Sequence, residues 1–309
     1  MKVLLFGANG QLGRELQRSL APLGELVALE RGSTGFCGDL TDLAGIANTV
    51  RNVKPDVVVN AAAYTAVDRA ESDVDAAHLV NALAPGALAE AASAEGALMV
   101  HYSTDYVFNG SGSTPWHEGD ATGPLNVYGR TKLEGEQRVA AACAKHLIFR
   151  SGWVYSARGD SFIKTILQKV CQPGATQQEP LAVVEVVNDQ FGAPTGANLL
   201  ADVTAHATKH MLLHPGSAGL YHVAAGGETT WFDYANHAVD QLIRARAAPE
   251  IIVNRIQPVS SVEWSSRLSA AERPKNSRLN TTKLQQTFGL YLPHWQVGVN
   301  RLLAEIEMD

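Results

Sequence analysis

The stretch KVLLFGANGQLGRELQRSL, residues 2–20, decides the fold of this chain of 309 residues. Its start, Lys2–Phe6, is a short aliphatic run that predicts a buried strand. Residues 7–13 are rich in glycine, and apolar side chains recur at helical spacing between Gln11 and Leu20. A strand, a tight glycine turn and a helix in this order open a βαβ unit, so the sequence predicts a parallel sheet.

The alternation of strand and helix continues through the first half of the chain. Short apolar runs predict the strands, amphipathic or alanine-rich segments predict the helices, and Asp42 is a predicted helix N-cap. The predicted strands are Lys2–Phe6, Leu26–Leu29, Asp56–Ala61, Leu98–Ser103 and His146–Arg150, and the predicted helices are Gln11–Leu20, Ala76–Ala94 with a break at Pro85-Gly86, and Asn126–Ala144. This order predicts an α/β fold with a doubly wound, Rossmann-type parallel sheet covered by helices on both faces.

The glycine-rich run GANGQLG, residues 7–13, lies between the first strand and the first helix. Glycines here let the backbone turn tightly and approach a pyrophosphate, while the helix N-terminus offers unpaired amides and the positive end of its dipole. Three glycines in seven residues are a weak signal elsewhere in a chain, but in this context they predict nucleotide binding.

The end of the second strand bears on the choice of cofactor. Glu30 ends that strand, where an acidic residue accepts hydrogen bonds from an adenosine ribose, whereas the next residue, Arg31, can hold a 2′-phosphate. The two neighbours favour opposite cofactors, so NADH and NADPH both stay open. Asp39 and Leu40 lie where a loop can touch the adenine, although a turn and a helix entry explain them equally well.

Beyond residue 153 the pattern is less regular. Candidate strands are 181–187 and 219–224, candidate helices are 197–210 and 231–245, and residues 258–277 are rich in Ser, Arg and Pro and predict a loop region. We expect an NAD(P)-binding Rossmann domain over residues 1–153 with parts of 180–240. The remainder of 154–309 is expected to form a smaller substrate-binding α/β part that covers a cleft.

Composition excludes several classes of protein. A hydrophobic content of 46% and a charged content of 18% are typical of globular proteins. The formal net charge of −6 argues against nucleic acid or an anionic membrane as the main partner, and no apolar run reaches the length of a membrane span. Cys37, Cys143 and Cys171, with scattered histidines, predict neither disulfides nor a transition-metal site, so a cytoplasmic setting is expected.

A tyrosine and a lysine stand four residues apart in VYGRTKLEGE, residues 127–136. At that spacing Tyr128 and Lys132 lie on one face of a helix, where the ammonium favours the ionised phenol. The pair alone is more typical of a solvated helix face. However, STDYVF, residues 103–108, places hydroxyls at the carboxyl end of a buried strand, where open α/β sheets bind ligands. This order of parts is that of short-chain dehydrogenase/reductases.

Seven motifs carry a closer resemblance. They are GANGQLG, NAAAYTAVDRAE, STDYVFNG, YGRTKLEGE, RSGWVY, NDQFGAPT and RPKNSRL, in this order and over nearly the whole length. With them the chain resembles the dTDP-4-dehydrorhamnose reductase family of the extended short-chain superfamily. The resemblance implies an oxidoreductase that reduces the nucleotide sugar dTDP-4-dehydro-L-rhamnose to dTDP-L-rhamnose with NADPH or NADH.

The resemblance also implies three catalytic residues. Tyr128 would protonate the keto oxygen of the substrate, and Lys132 would bring the phenol pKa, about 10 when free, closer to the working range and would bind the nicotinamide ribose. Thr104 would hold the same oxygen and stabilise developing charge, with Ser103 as the second candidate.

Binding residues follow from the same resemblance. By the resemblance the cofactor would touch Gly10, Gln11, Leu12, Ala63, Tyr64 and Thr65, together with Tyr128 and Lys132. Gly7, Gly13, Glu30, Asp39 and Leu40 are added from their positions in the βαβ unit. Thr104, Asp105 and Trp153 match positions that meet the sugar nucleotide, although an inter-domain core role is the alternative for the tryptophan. Arg273 and Arg278 are candidates for binding its diphosphate, with surface salt bridges as the alternative.

Two residues depart from the family pattern, and other functions stay open. Tyr64 stands where many relatives have histidine, which bears on the cofactor pocket, and Asn280 stands where aspartate is usual. The alternatives are another nucleotide-sugar reductase or epimerase, and a non-enzymatic NAD(P)-binding regulatory subunit. A dehydratase is disfavoured because Asp105 is followed by Tyr106 rather than by glutamate. A homodimer is expected from the family, and a structural divalent cation such as Mg²⁺ stays open.

Overall fold

The computed structural model describes residues 1–170, 183–245, 255–267 and 270–306. Strands and helices alternate along them. The strands are β1 (Lys2–Phe6), β2 (Glu25–Leu29), β3 (Val57–Asn60), β4 (Leu98–Thr104), β5 (His146–Ser151), β6 (Val154–Tyr155), β7 (Val183–Val187), β8 (Phe191–Gly192), β9 (Thr195–Gly196), β10 (Gly219–His222), β11 (Thr229–Thr230) and β12 (Arg255–Val259). The helices are α1 (Gln11–Leu20), α2 (Leu43–Val53), α3 (Val67–Ala70), α4 (Val74–His78), α5 (Ala84–Ala94), α6 (Val127–Ala142), α7 (Phe162–Val170), α8 (Ala197–Leu213), α9 (Trp231–Ala245), α10 (Ser261–Arg267), α11 (Thr282–Phe288) and α12 (Trp295–Ile306).

Six strands form one fully parallel sheet in the order β2-β1-β3-β4-β5-β10. The chain runs outward from β1 to β2 on one side and from β3 to β10 on the other, so the strand order reverses between β1 and β3. Ligands of open parallel sheets bind beside such a reversal, at the carboxyl ends of the strands. The predicted doubly wound sheet is confirmed, and the glycine-rich run leaves β1 at the point of reversal.

Alternate side chains of the strands pack into two separate cores. Val3 and Leu5 of β1 face α1, α8 and α11, whereas Leu4 and Phe6 face α2, α5 and α6. All four side chains are fully buried. Because helices cover both faces, central strands are nearly continuous apolar runs, as in the sequence VVVN of β3.

Beyond residue 153, the described residues build two smaller apolar clusters. One contains Trp295 and lies between α7, α9 and α12, and the other packs Val184 and Val186 of β7 against α7 and α9. Strands β7 and β12 pair in parallel as a separate two-stranded sheet. The predicted division places α11 in the smaller part, but its Leu284 and Phe288 pack in the core of the large sheet.

Two sequence predictions about the helices are wrong. Pro85-Gly86 does not break its helix, because a π-helical turn over Leu79–Leu83 joins α4 to α5 and the proline lies in the first turn of α5, where proline is tolerated. Residues 258–277 are not one loop, since Pro258 lies in β12 and α10 follows it.

Other boundaries differ by a few residues. The helix predicted over 197–210 continues to Leu213, and the strand predicted over 219–224 ends at His222. Cys171 and the first two residues of the strand predicted over 181–187 lie outside the described residues. In the described part of the chain, no helix combines the length and the apolar character needed to cross a membrane.

Candidate active site

A cleft of about 760 Å³ opens at the carboxyl edge of the sheet, beside the reversal between β1 and β3. The glycine loop and the start of α1 line one end, and the ends of β4 and β5 with α6 line the other. Phe162, Trp231 and Arg273 contribute from the C-terminal half. The volume lies within the range of sites that bind cofactors and other small molecules.

Close backbone contacts define the glycine loop. Gly7 has a φ of +86°, and the amides of Gly7 and Ala8 both donate to the Leu29 carbonyl at 2.9 Å. A Cβ on Gly13 would lie 1.9 Å from the Gly7 carbonyl oxygen, and a Cβ on Gly7 would lie 2.7 Å from the Ala62 nitrogen. Only glycine fits these two positions. The loop thereby brings β1, β3 and the start of α1 into contact.

The start of α1 has the groups that a dinucleotide diphosphate needs. Helix α1 begins at Gln11, and its first amides have no acceptor inside the helix. Gly10 is the N-cap and supplies no side chain to cap them. Gly10, Gln11 and Leu12 all line the cleft. The Gln11 side chain also donates to the Asp160 carbonyl at 2.6 Å, which ties the loop to the start of α7. These donors fit an anionic diphosphate.

Some predicted cofactor residues lie outside the cleft lining. They are Gly13, Glu30, Asp39, Leu40 and Tyr64. Glu30 is exposed directly after β2, and the exposed Arg31 beside it pairs with Asp39 at 3.3 Å. The Leu40 side chain is buried in the core beneath α2. The end of β2, beyond the cleft lining, therefore presents one acid and one cation whose charge is partly offset.

Tyr64 makes its contacts away from the cleft. Its amide donates to the Asn81 side chain at 2.8 Å, and its phenol donates to Asp73 at 3.0 Å. The neighbouring Ala63 and Thr65 line the cleft. The position that departs from the family pattern therefore contacts Asp73 and does not line the cleft.

The predicted catalytic residues come together at the other end of the cleft. The Thr104 hydroxyl donates to Asp105 Oδ1 at 3.0 Å and accepts from the Tyr106 amide at 3.2 Å. The Tyr128 phenol lines the cleft next to the Thr104 side chain. Lys132 lies one helical turn further along α6 and is buried. Residues that are far apart in sequence thus surround one point at the end of β4.

The pKa of the phenol differs from the sequence expectation. Burial raises the pKa of Tyr128 to about 12, while the hydrogen bond with Thr104 lowers it and the charge of Asp105 raises it by less. The Lys132 ammonium instead donates to the Tyr102 carbonyl. Burial lowers the pKa of Lys132 to about 8, against the charge of Glu136. The expected lowering of the phenol pKa is wrong because desolvation of the phenol dominates.

A buried ion pair holds α6 against β5. Arg150 donates to both carboxylate oxygens of Glu136, at 2.9 and 2.7 Å, and the two side chains are only 5% and 4% exposed. Glu136 lies one turn beyond Lys132, and its charge favours the charged form of that lysine. Sequence reasoning missed this pair, although an arginine that ends the apolar strand HLIFR was a usable signal.

An aromatic wall faces the catalytic end. Trp153 stacks on Trp231 with ring centroids 3.6 Å apart, and Phe162 lies 4.5 Å from Trp231. All three side chains line the cleft. Trp153 has a φ of +52°, a left-handed conformation that is uncommon for a bulky residue. Trp231 and Phe162 were missed because each begins a helix without belonging to a motif.

The two candidate arginines have different environments. Arg273 lines the cleft and pairs with Asp68 at 2.9 Å. Arg278 does not line the cleft, since it pairs with Glu228 at 2.6 Å and lies over the Phe191 ring at 4.2 Å. Both arginines therefore form salt bridges, and of the two Arg273 also lines the cleft. Among the residues that the structure describes, no cluster of three or more His, Cys, Asp or Glu side chains could hold a metal ion.

Comparison with known proteins agrees with this arrangement. The family described as RmlD substrate binding domain matches residues 1–308. A dTDP-4-dehydrorhamnose reductase of Shigella flexneri is 54% identical over 306 residues, which are 99% of this chain and 98% of that protein. The chain belongs to the dTDP-4-dehydrorhamnose reductase family. The resemblance carried by the seven motifs is thereby confirmed.

Solved structures named as dTDP-4-dehydrorhamnose reductases share the whole fold. One from Clostridium acetobutylicum superposes with a TM-score of 0.85 at 33% identity and covers 100% of both chains. One from Bacillus anthracis, solved in complex with NADP, superposes with a TM-score of 0.82 at 32% identity and covers 98% of this chain and 99% of that chain. The agreement extends over the large sheet and the smaller C-terminal clusters alike.

Proposed function

We propose that this protein is an NAD(P)H-dependent oxidoreductase that reduces the 4-keto group of dTDP-4-dehydro-L-rhamnose to give dTDP-L-rhamnose. The observation that carries the proposal is a single cleft that joins the glycine loop to the Tyr128–Thr104 pair. A glycine loop alone fits any dinucleotide, and a half-buried phenol alone could donate a proton in many reactions. Their union in a chain 54% identical to a reductase of that name supports this reaction in particular.

The cofactor is proposed to lie along the glycine loop. Amides of Gly10, Gln11 and Leu12 at the start of α1 bind its diphosphate, and Ala63 and Thr65 line the next part of the cleft. Gly7 and Gly13 act by leaving room for the backbone. When bound, NAD(P)H supplies the hydride that reduces the keto carbon.

The adenosine end is proposed to accept either form of the cofactor. Glu30 accepts hydrogen bonds from a ribose hydroxyl, which favours NADH, and Arg31 attracts a 2′-phosphate, which favours NADPH. Asp39 pairs with Arg31 and so weakens that attraction. The backbone of Asp39 and Leu40 borders the adenine.

Side chains of α6 and β4 are proposed to move the proton. Tyr128 gives its phenolic proton to the keto oxygen, and Thr104 donates a hydrogen bond to the same oxygen and so stabilises developing negative charge. Lys132 places a positive charge beneath them and binds the nicotinamide ribose. The hydroxyl of Ser103 is buried without a partner among the described residues, so Ser103 remains the second candidate for the role of Thr104.

The sugar nucleotide is proposed to bind opposite the cofactor. Asp105 hydrogen-bonds the sugar, Trp153 packs on it, and Arg273 binds the diphosphate. In this division, residues 1–153 with parts of 180–240 hold the cofactor and the remainder of 154–309 holds the substrate. The position of Phe162 and Arg273 in the cleft lining supports the division.

We further propose that the enzyme works in the cytoplasm as a homodimer. The free thiols of Cys37 and Cys143 suit a reducing compartment, and the dimer is proposed from the family. Light scattering on the purified protein tests the assembly, with twice the chain mass of 33.0 kDa as the expected result. A mass of one chain at working concentration would contradict the dimer.

The function is tested by the loss of nicotinamide absorbance. Purified protein is mixed with dTDP-4-dehydro-L-rhamnose generated in situ and with NADH or NADPH in separate reactions. One cofactor consumed per keto sugar is the expected result, and the faster reaction identifies the preferred cofactor. No consumption of either cofactor, despite measurable binding, would move the assignment to another sugar or to a regulatory subunit. Product formation without net consumption would indicate an epimerase.

A further inference from the structure

The indole of Trp153 is enclosed between two covers, one over each face of the ring. Trp231 covers one face, since the two ring centroids are 3.6 Å apart and the ring planes differ by 15°. Gly192 covers the other. A Cβ at Gly192 would lie 2.7, 3.0 and 3.1 Å from the bonded ring atoms Cε2, Cζ2 and Cδ2 of Trp153, and no atom of Trp231 is as close to it. Neither face of Trp153 is therefore open to a ligand.

Two short sheets fix these three residues relative to one another. Gly192 in β8 pairs with Thr229 in β11, and Trp231 follows β11 directly, so one sheet carries both covers. Trp153 precedes β6, and its carbonyl accepts from the amide of Thr195 in β9 at 3.2 Å. The second sheet therefore ties the enclosed ring, and the gap between the covers is set by backbone pairing.

The backbone supports the same position of the ring. Trp153 has a φ of +52°, a conformation that costs free energy in a bulky residue and persists where surrounding contacts enforce it, most often at ligand sites. Gly192 has no positive φ, so its backbone does not require glycine. What Gly192 contributes is the absence of a side chain, which leaves room for the indole.

The part of Trp153 that lines the cleft is consequently its edge. The residue is half-buried and belongs to the cleft lining, while both of its faces are covered. Its Nε1 makes no hydrogen bond with any residue that the structure describes, and these residues do not enclose it. An indole N–H only donates, so the group that matches it is an oxygen of a ligand.

The position of this edge indicates which part of the substrate it meets. Trp153 lies two residues beyond Ser151, which pairs with Thr104 across β5 and β4. The indole is therefore next to the catalytic end, where the reacting sugar binds. Arg273, also in the cleft lining, supplies the charge that suits a diphosphate. A neutral donor such as Nε1 suits a hydroxyl or ring oxygen of a pyranose.

We propose that Trp231 and Gly192 are positioning residues that hold Trp153 edge-on, so that its indole N–H donates to an oxygen of the substrate's pyranose. The inference rests on the function proposed above, and it makes the packing of Trp153 on the sugar a contact through the edge of the ring. A ring face accepts any apolar surface, whereas a fixed donor selects a sugar that carries an oxygen at one position.

Replacing Trp153 by benzothienylalanine tests the N–H alone, because sulfur takes its place and the bicyclic shape is kept. KM for dTDP-4-dehydro-L-rhamnose should rise roughly fivefold to tenfold, as for the loss of one hydrogen bond, while kcat stays within about threefold. Cofactor affinity should not change. The same replacement at Trp264, in α10 and outside the cleft lining, is the control. An unchanged KM in the Trp153 variant would overturn the inference.

Equilibrium binding separates the sugar from the nucleotide. dTDP-L-rhamnose should bind the Trp153 variant roughly fivefold to tenfold more weakly than the unsubstituted protein. dTDP, which lacks the sugar, should bind both proteins equally. If dTDP weakens as much as dTDP-L-rhamnose, the N–H meets the nucleotide, and the assignment to the pyranose is overturned.

The two covers are tested by their dependence on the N–H. Trp231→Leu removes the flat cover, and Gly192→Ala displaces the ring, so each should raise KM about as much as the loss of the N–H. Trp231→Phe keeps an aromatic cover and should hold KM within about threefold of the unsubstituted value. Unchanged cofactor affinity establishes that the variants are folded. No rise of KM in Trp231→Leu or Gly192→Ala would overturn the positioning role.

A double variant separates positioning from a direct contact. In a protein that already carries benzothienylalanine at position 153, Trp231→Leu should raise KM by no more than about twofold, because the group that Trp231 positions is gone. Full additivity would show that Trp231 acts independently of Trp153 and would overturn the inference. Failure of the unsubstituted protein to reduce the substrate would instead overturn the proposed function.

Discussion

The two ends of the cleft are built from different kinds of groups. At the cofactor end the binding groups are backbone amides of residues 7–13, and Gly7 and Gly13 act by lacking a side chain. At the catalytic end they are the side chains of Thr104, Asp105 and Tyr128, and burial raises the pKa values of Asp105 and Tyr128. Cofactor binding at the first end should not depend on pH, but a substitution that adds one carbon to Gly7 or Gly13 should disrupt it. The second should tolerate substitutions that keep shape but not those that change protonation.

The largest effect is expected for Tyr128→Phe, which keeps the ring and removes the proton. Turnover should fall by roughly 10²- to 10⁴-fold because the keto oxygen loses its acid. Cofactor affinity, measured by tryptophan fluorescence, should stay the same because the glycine loop is untouched. Tyr291→Phe, at a residue 82% exposed, is the matched control. Turnover unchanged in Tyr128→Phe would rule out the assigned proton donor.

Gly13→Ala tests the backbone end of the cleft. Its Cβ would lie 1.9 Å from the Gly7 carbonyl oxygen, so the loop must shift away from its observed position. We expect cofactor affinity to fall by roughly 10²-fold, or about 3 kcal/mol. Titration with cofactor measures this directly. Gly119→Ala, where a Cβ meets nothing within 4 Å, is the control, and equal affinities in the two variants would contradict the close-packed loop.

Asp105→Asn should stabilise the protein in a pH-dependent way. The folded pKa of about 6 exceeds the ordinary aspartate pKa of 3.8, so the folded state binds the proton more tightly, and stability is lost as pH rises from about 4 to about 6. Asparagine removes that loss, which amounts to about 3 kcal/mol at pH 7.5. Urea unfolding at pH 7.5 and pH 4 measures the difference. A gain of the same size at both pH values would disprove the ionised, buried carboxylate.

The smallest effect is expected for Gly10→Ala. Its Cβ would come no closer than 3.4 Å to the Gly7 carbonyl oxygen, so the free protein should change in stability by less than about 1 kcal/mol. If this variant loses cofactor affinity, the cause is then a clash between the added methyl group and a diphosphate that binds close to the loop. Thermal unfolding with and without cofactor measures both. A fall in the free energy of unfolding well above about 1 kcal/mol would show that the loop has no room for a side chain at Gly10.

Much of the fold was predictable because its signals are local. Apolar runs and glycines in residues 2–20 are enough to recognise a strand, a turn and a helix. The continuous connection between α4 and α5 was missed because a proline usually predicts the end of a helix. In the structure, the π-helical turn at Leu79–Leu83 connects the two helices. Helix α10 was missed because Ser and Arg outnumber apolar residues there, so its pattern resembles a loop.

The candidate site was predictable where a motif carried it. Tyr128, Lys132 and Thr104 belong to motifs and meet in the cleft. Trp231 and Phe162 belong to none, and they meet Trp153 only because α7 and α9 pack together beside β6.

The sequence by itself determined the order of the elements, the glycines of the loop and the chemical groups that meet the substrate. These follow from the spacing of apolar residues and from the lack of a side chain, which are properties of neighbouring positions. Only the tertiary structure decided which groups hold protons. The pKa values of Tyr128, Lys132 and Asp105 all move in the direction of burial, because desolvation depends on every segment packed around a group and not on its neighbours in sequence.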